Sequence, residues 1–371
     1  MSSNWLYESF NSTKARAVVF DEAATMFCAD ALLVYGNTPR PMIAIGDPKQ
    51  LAPVLSTARE KLNTGFERYY DDRRRRWRTR RKDEGPPVNR FAEFAKISWL
   101  SWFVHLGWPV FHLYTQHRMA EGLFDLSLNT VYKSLKQNFK YSALCQPANF
   151  PIGVDVEDYL KEKYRIPAPS DGTLQPVFFN CTNSPCRQYP DNSSRLNPRQ
   201  ADLITIELVS MIKKLVLSPA DIVVLTPYRA NLRALGKRFR KEESLRDIVC
   251  STFDGFQGRE AQIVVLALCV TRETGPACVA AERSLNVVMT RQRSSLLIFG
   301  DIATTTKMPR SSRFDDDHNV ESAFAEWGTQ MVFREVFRAI SQSKRIVKLV
   351  GNPAADPDSY WDRLETSTQI L

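Results

Sequence analysis

The chain has 371 residues, 43% of them apolar, and a formal net charge of +9. That length and apolar share fit two ordinary domains with real cores and exclude a disordered protein. No charged start leads into an apolar core and no run nears the roughly 18 apolar residues of a membrane span, so a soluble intracellular protein of the cytoplasm or nucleus is expected, with no membrane partner.

The first element in chain order is an apolar strand pattern, AVVFD at 17–21, which ends in the adjacent acids Asp21 and Glu22. A second, PMIAIGD at 41–47, breaks at Gly46, Asp47 and Pro48 and delivers Gln50. Residues 66–90 hold the run RRRRWRTRRK (73–82) beside Asp71, Asp72, Asp83, Glu84 and the turn Gly85-Pro86-Pro87, which predicts an exposed insertion rather than a sheet element. The run carries eight positive charges and no negative one, and the remaining chain is close to neutral, so the basicity is local. It reads equally as a phosphate-binding arm or nuclear address, with Trp77 able to stack on a base, and as a solvated surface insertion.

Further strands are expected at 109–113, 176–181, 221–227, 262–269 and 295–301. Their near-continuous apolar character indicates burial on both faces, hence an α/β fold with parallel sheet covered by helices. Asn197 as cap and Pro198 in the first turn open a helix whose Leu203, Ile206, Val209, Ile212 and Leu215 are expected to face the core. Leu232, Leu235 and Phe239 form the same kind of face in the next helix. The strand pattern stops at about residue 303; 309–320 reads as a polar linker, 321–344 as one helix, and the end as irregular. Seven cysteines include no CxxC pair, and Cys181 and Cys186 have no nearby His to complete a zinc set, which predicts reduced, mostly buried thiols.

Ligands of open parallel sheets bind at the carboxyl edge, where side chains and helix N-termini converge. There Asp21 can hold magnesium through water, Glu22 can orient or deprotonate a water attacking a triphosphate, and Gln50 can hydrogen-bond the terminal phosphate or that water. Adjacent acids at strand ends and Gly-Asp-Pro turns also have bland explanations.

DEAA at 21–24 and GDPKQLAPV at 46–54 resemble motifs II and III of superfamily 1 helicases, in the branch of the nonsense-mediated-decay helicase and senataxin. LYTQHRM (113–119), STFDGFQGRE (251–260) and SLNVVMTRQRSSLLIFGD (284–301) resemble motifs IV, V and VI, in the family's order. The resemblance implies RecA-like P-loop NTPase lobes: a partial first lobe over 1–114 with the insertion at 66–90, a complete second lobe over 115–303, and a C-terminal tail over 304–371 with one helix. It implies ATP and Mg2+ as cofactors, hydrolysis coupled to 5′ to 3′ translocation on single-stranded RNA or DNA, and no oligomer. Arg118 and Arg291 match phosphate-contacting arginines and so join Glu22 and Gln50 as catalytic candidates, with Arg293 sharing the task or bracing the site. His117 stands where the family has an aromatic residue and can still stack on adenine. Gly258 permits close backbone approach, and Glu260 is placed to meet a ribose or couple the lobes. Ser251 and Thr252 are candidates for the nucleic-acid backbone, as are Arg73, Arg74, Arg75, Arg76 and Trp77 of the basic run. Thr25 stands where the family carries Gln.

The phosphate loop GxxxxGK[ST] occurs nowhere in the sequence, and only 16 residues precede the 17–21 run. Hydrogen bonds to charged groups contribute about 1.5–3 kcal/mol each, so losing three or four removes at least roughly 5 kcal/mol and weakens nucleotide binding on the order of a thousandfold. No useful ATP turnover is therefore expected from the chain alone. The strand at 17–21 is expected to lack its neighbour and to expose an apolar edge. Two readings follow: the C-terminal part of a helicase whose N-terminal segment is encoded upstream, or a degenerate non-catalytic module binding nucleic acid or protein through the basic insertion and the second lobe. No GxGxxG follows a strand, as a dehydrogenase requires, and the acids are too dispersed for a two-metal nuclease.

Overall fold

The computed structural model describes residues 9–11, 13–36, 40–55, 66–71, 76–81, 86, 88–169, 172–188, 194–305 and 320–351. The chain forms two compact units, Met1–His112 and Leu113–Leu371. Among the described residues no helix is long and apolar enough to cross a membrane.

In the first unit β1 (Val18–Phe20), α1 (Cys28–Tyr35), β2 (Met42–Ala44), β3 (Phe66–Asp71), β4 (Arg76–Arg81) and α2 (Trp99–His105) follow one another. β1 and β2 pair in parallel, Val19 opposite Ile43. The pleat sends Val18 and Phe20 into a small core with Ala23, Ala31 and Trp99, where the Phe20 and Trp99 rings meet edge-on at 5.9 Å. The strand at 17–21 thus does have a neighbour, contrary to expectation. What lies open is the other face of the pair, where Val19 and Ile43 are 62% and 59% exposed.

The insertion is likewise corrected, because it contains an antiparallel ladder, β3 with β4. Tyr69, Tyr70, Trp77 and Thr79 are strand-favouring types, and the register sets Asp71 opposite Arg76 and Glu67 opposite Arg80. Residues 109–113 form no strand. Pro109 has no amide to donate to a ladder, and Phe111 and Leu113 are exposed.

The second unit comprises β5 (Thr115–Gln116), α3 (Asp125–Thr130), β6 (Lys140–Tyr141), α4 (Pro151–Tyr164), β7 (Val177–Thr182), β8 (Arg187–Gln188), β9 (Arg195–Leu196), α5 (Pro198–Leu215), β10 (Ile222–Thr226), α6 (Arg229–Phe239), β11 (Val249–Thr252), β12 (Ala261–Ala267), α7 (Glu282–Val288), β13 (Gln292–Gly300), α8 (Val320–Ser343) and β14 (Ile346–Val350). Its main sheet has six parallel strands in the order β11-β10-β12-β13-β7-β14. Successive strand residues alternate between two cores. Phe179, Val224, Val265 and Phe299 pack on α4, α5 and α6, while Phe178, Val223, Val264 and Ile298 pack on α7 and α8. The Phe179 and Phe299 rings stack at 4.4 Å. This is the doubly covered α/β sheet that the apolar strands predict, and the RecA-like lobe that the resemblance implies.

Asn197 caps α5 as expected, its side chain accepting from the Gln200 amide at 3.0 Å. The buried stripe of α5 is rotated from the expected one: Ala201, Ile204, Leu208, Met211 and Ile212 are inside and Ile206 is exposed. β11 and β14 were not expected. Residues 346–350 overturn the end of the strand pattern at 303, since β14 joins the sheet beside β7. The thiols are less buried than expected, with Cys145, Cys181 and Cys269 inside and Cys278 exposed.

β14 is fastened by Arg345, 1% exposed, whose Nη2 lies 2.6 Å from Glu157 Oε2 of α4. The same guanidinium donates to the carbonyls of Pro167 and Pro176. Breaking a buried pair strands the remaining charge. Arg345→Met should lower unfolding stability by about 3–5 kcal/mol in urea denaturation, and adding Glu157→Leu should recover most of that loss.

Candidate functional site

Asp21 and Glu22 leave β1 as an exposed turn. Glu22 takes a left-handed backbone, φ 51°, a costly conformation for a residue with a Cβ. Three hydrogen bonds hold it: Glu22 N donates to Asp21 Oδ1 at 2.9 Å, and both the amide and hydroxyl of Thr25 donate to Glu22 O at 2.9 Å. Thr25, the departure from the family pattern, therefore braces the acidic turn. Gly46 lies against the same turn; a Cβ there would sit 2.9 Å from Ala24 N and 3.1 Å from Ala23 N, so this close approach needs glycine. Beyond it Gln50 Nε2 donates to Asp47 Oδ2 at 3.0 Å, which fixes the side chain beside the turn's own acid.

A single exposed carboxylate suits magnesium, which keeps its waters and completes its shell with substrate phosphates. Among the described residues no group of three or more His, Cys, Asp and Glu can hold a metal ion. Asp21 offers one such exposed carboxylate.

In the second unit two of the three candidate arginines, Arg118 and Arg293, gather at the amino edge of the sheet. Glu260 immediately precedes β12, and its carboxylate receives Arg118 Nε at 2.9 Å and Arg293 Nη1 at 3.4 Å. Backbone bonds align the three segments: Ala120 N donates to Arg293 O at 2.9 Å, and Ala261 N to Arg291 O at 3.1 Å. Gln116 Oε1 accepts the amides of His117 (3.0 Å) and Arg118 (2.7 Å), shaping the turn that presents both exposed side chains. Arg291 stands apart from the cluster. It is 2% exposed, and its guanidinium bonds Val287 O at 2.8 Å and Thr290 Oγ1 at 3.0 Å within the end of α7.

Ser251 and Thr252 end β11 at the sheet's opposite, carboxyl edge. Thr252 Oγ1 accepts from Gly255 N at 3.3 Å, capping the turn that leads to Gly258, which is left-handed at φ 72°. In the hairpin Trp77 is 64% exposed. Arg76 begins β4, and Arg73, Arg74 and Arg75 lie outside the described residues. Sequence reasoning missed Gln116 and Thr290, and it marked Thr25 as a departure from the motif without its bracing role. Only their position beside the motifs could have signalled them.

Fold and motifs together define a RecA-like lobe of the helicase type. Residues 95–303 match the AAA domain family, and the chain belongs to it, within the superfamily 1 helicases of the nonsense-mediated-decay and senataxin-like branch. The chain is 25% identical to the probable helicase MAGATAMA 3 of Arabidopsis thaliana, over 79% of this chain and 31% of the relative. It is 25% identical to a regulator of nonsense transcripts 1 homolog of Neurospora crassa, over 78% of this chain and 23% of the relative. It is 27% identical to the DNA replication ATP-dependent helicase/nuclease DNA2 of Saccharomyces cerevisiae, over 80% of this chain and 18% of the relative. The chain thus spans less than a third of each of these proteins.

The Arg118–Glu260 pair is 41% and 43% exposed, so solvent screens it and it contributes below about 1 kcal/mol to folding. Glu260→Gln should accordingly leave the unfolding free energy from urea denaturation within about 1 kcal/mol of wild type while removing the ion pairs of both guanidinium groups; a larger loss would make the cluster structural.

Proposed function

We propose that this chain is the C-terminal part of an ATP-dependent superfamily 1 helicase, and that a phosphate loop contributed by polypeptide outside these 371 residues completes its nucleotide site. The observation that carries it is the Arg118–Glu260–Arg293 cluster: two half-exposed cations at a sheet edge that share one screened carboxylate, which a triphosphate can replace. The absence of GxxxxGK[ST] and the short coverage of the relatives support the incomplete site.

In this assignment residues 1–114 are a partial first lobe, 115–303 the second lobe and 304–371 its C-terminal extension. Asp21 holds Mg2+ through water, and Glu22 with Gln50 orients the attacking water. Arg118 and Arg293 neutralise phosphate charge. Arg291 braces the end of α7 and reaches phosphate only if that turn opens. His117 stacks on the base, and Gly258 and Glu260 meet the ribose once the arginines let go. Bound ATP supplies the phosphoryl group whose transfer to water drives movement along the strand. Single-stranded RNA or DNA tracks the carboxyl edge at Ser251 and Thr252 and the basic hairpin with Trp77, in the cytoplasm or nucleus.

The chain alone should show no ATP turnover above background. Fusing the phosphate-loop segment of a relative's first lobe should produce turnover that rises with single-stranded oligonucleotide and is lost in Glu22→Gln. Turnover by the unfused chain would overturn the incomplete-site assignment. Oligonucleotide binding by the fused chain without turnover is what the second reading, a non-catalytic binding module, predicts; the missing motif is the observation in its favour.

In fluorescence anisotropy, neutralising the eight basic residues of 73–82 should weaken oligonucleotide affinity at least about tenfold at low salt and flatten its salt dependence. Unchanged affinity would remove the hairpin from the nucleic-acid path. RNA and DNA oligonucleotides of one sequence, compared side by side, identify the preferred strand.

A further inference from the structure

Three thiols gather beyond the carboxyl ends of β7 and β12, at the edge of the sheet opposite the arginine cluster. Cys186 lies in the exit loop of β7, Cys269 in that of β12, and Cys278 in the loop that follows. The Cys186 and Cys269 sulfurs are 3.9 Å apart although 83 positions separate them in sequence. Cys269 is left-handed, φ 68°, with its amide donating to Gln200 Oε1 at 2.8 Å. Asn197 Nδ2 bonds both loops, to Ser184 O at 2.7 Å and Cys269 O at 3.3 Å. Helix capping, loop anchoring and thiol pairing therefore converge on one junction.

The two sulfurs are chemically unequal. Cys186 is half-buried, and the hydrogen bond with Cys269, helped by the nearby Arg195 cation, holds its thiol below the ordinary range despite burial. Arg195 is fixed there by the carbonyls of Thr274 and Gly275, both at 3.1 Å. Cys269 is fully enclosed, and burial, then Cys186, pushes its thiol well up. A reachable, more acidic thiol beside a shielded one is the arrangement of an attacking and a resolving cysteine.

We propose that Cys186 and Cys269 are a peroxide-responsive disulfide site that locks the exit loops of β7 and β12 together. The Cys186 thiolate attacks one oxygen of hydrogen peroxide, the O–O bond breaks, and the departing hydroxide takes up the thiol's proton as water. The resulting sulfenic acid is attacked by the Cys269 sulfur; its S–O bond breaks, and the second water leaves with the Cys269 proton. Peroxide gains two electrons and the thiols lose two. Closure needs the sulfurs to move from 3.9 Å to about 2.05 Å. The site is independent of the motor assignment.

The test treats the full chain with hydrogen peroxide, quenches it in acid, alkylates under denaturing conditions and maps peptides by mass spectrometry. The expected product is a single Cys186–Cys269 cross-link with intact mass lower by about 2 Da, reversed by dithiothreitol, with Cys250 and Cys278 still alkylated. Cys278→Ser should leave the cross-link unchanged and Cys186→Ser should abolish it; the wild-type map decides by itself if the latter fails to fold. A sulfinic Cys186 beside an alkylated Cys269, or a cross-link through Cys278, would overturn the assignment.

Discussion

Parallel strands are stable only when both faces are covered, and that requirement orders everything else in this protein. The second unit meets it: the apolar residues of the inner strands point into one of two cores, each roofed by helices. A sheet so clamped has stiff edges. Arg118, Glu260 and Arg293 come from three separate stretches of chain, yet backbone bonds from Ala120 and Ala261 bring them to one place. The first unit meets the requirement on one face only, leaving Val19 and Ile43 in solvent. A two-stranded parallel pair with a bare apolar face has little to hold it beyond Trp99 and its neighbours.

Two arginine–carboxylate sites in the second unit show how burial sets the role of the same chemistry. Arg345 and Glu157 are enclosed, so their charges cannot part without a large penalty, and the pair acts as a rivet for the edge strand. Glu260 and its two arginines stand in solvent, where the pairing is weak and exchangeable.

The central strands were legible because burial on both faces forces long apolar runs, which few other contexts produce. The same signal failed at 109–113, where an apolar run starting with Pro109 finds no partner. It missed β14, a five-residue edge strand behind a polar stretch, because edge strands alternate and need no continuous apolar run. In the basic insertion the density of charge hid strand-favouring Tyr69, Tyr70 and Trp77, which lie in the two strands of a hairpin. On α5 the chosen stripe was off by part of a turn, since a helix with apolar residues at 203, 204, 206, 208 and 209 offers two adjacent faces and local periodicity does not say which one a sheet will meet.

The sequence by itself determined the class of fold, the family and the order of the motifs, because these depend on residue types and spacings along the chain. Tertiary structure decided which charges meet: that Glu260 holds Arg118 and Arg293, that Arg291 turns into its own helix, that Thr25 props the acidic turn, and that Cys186 lies beside Cys269. Those neighbours lie far apart in the chain or hinge on how a turn closes. Their meeting follows from strand order and from which helix roofs which face, and no local preference of the backbone encodes either.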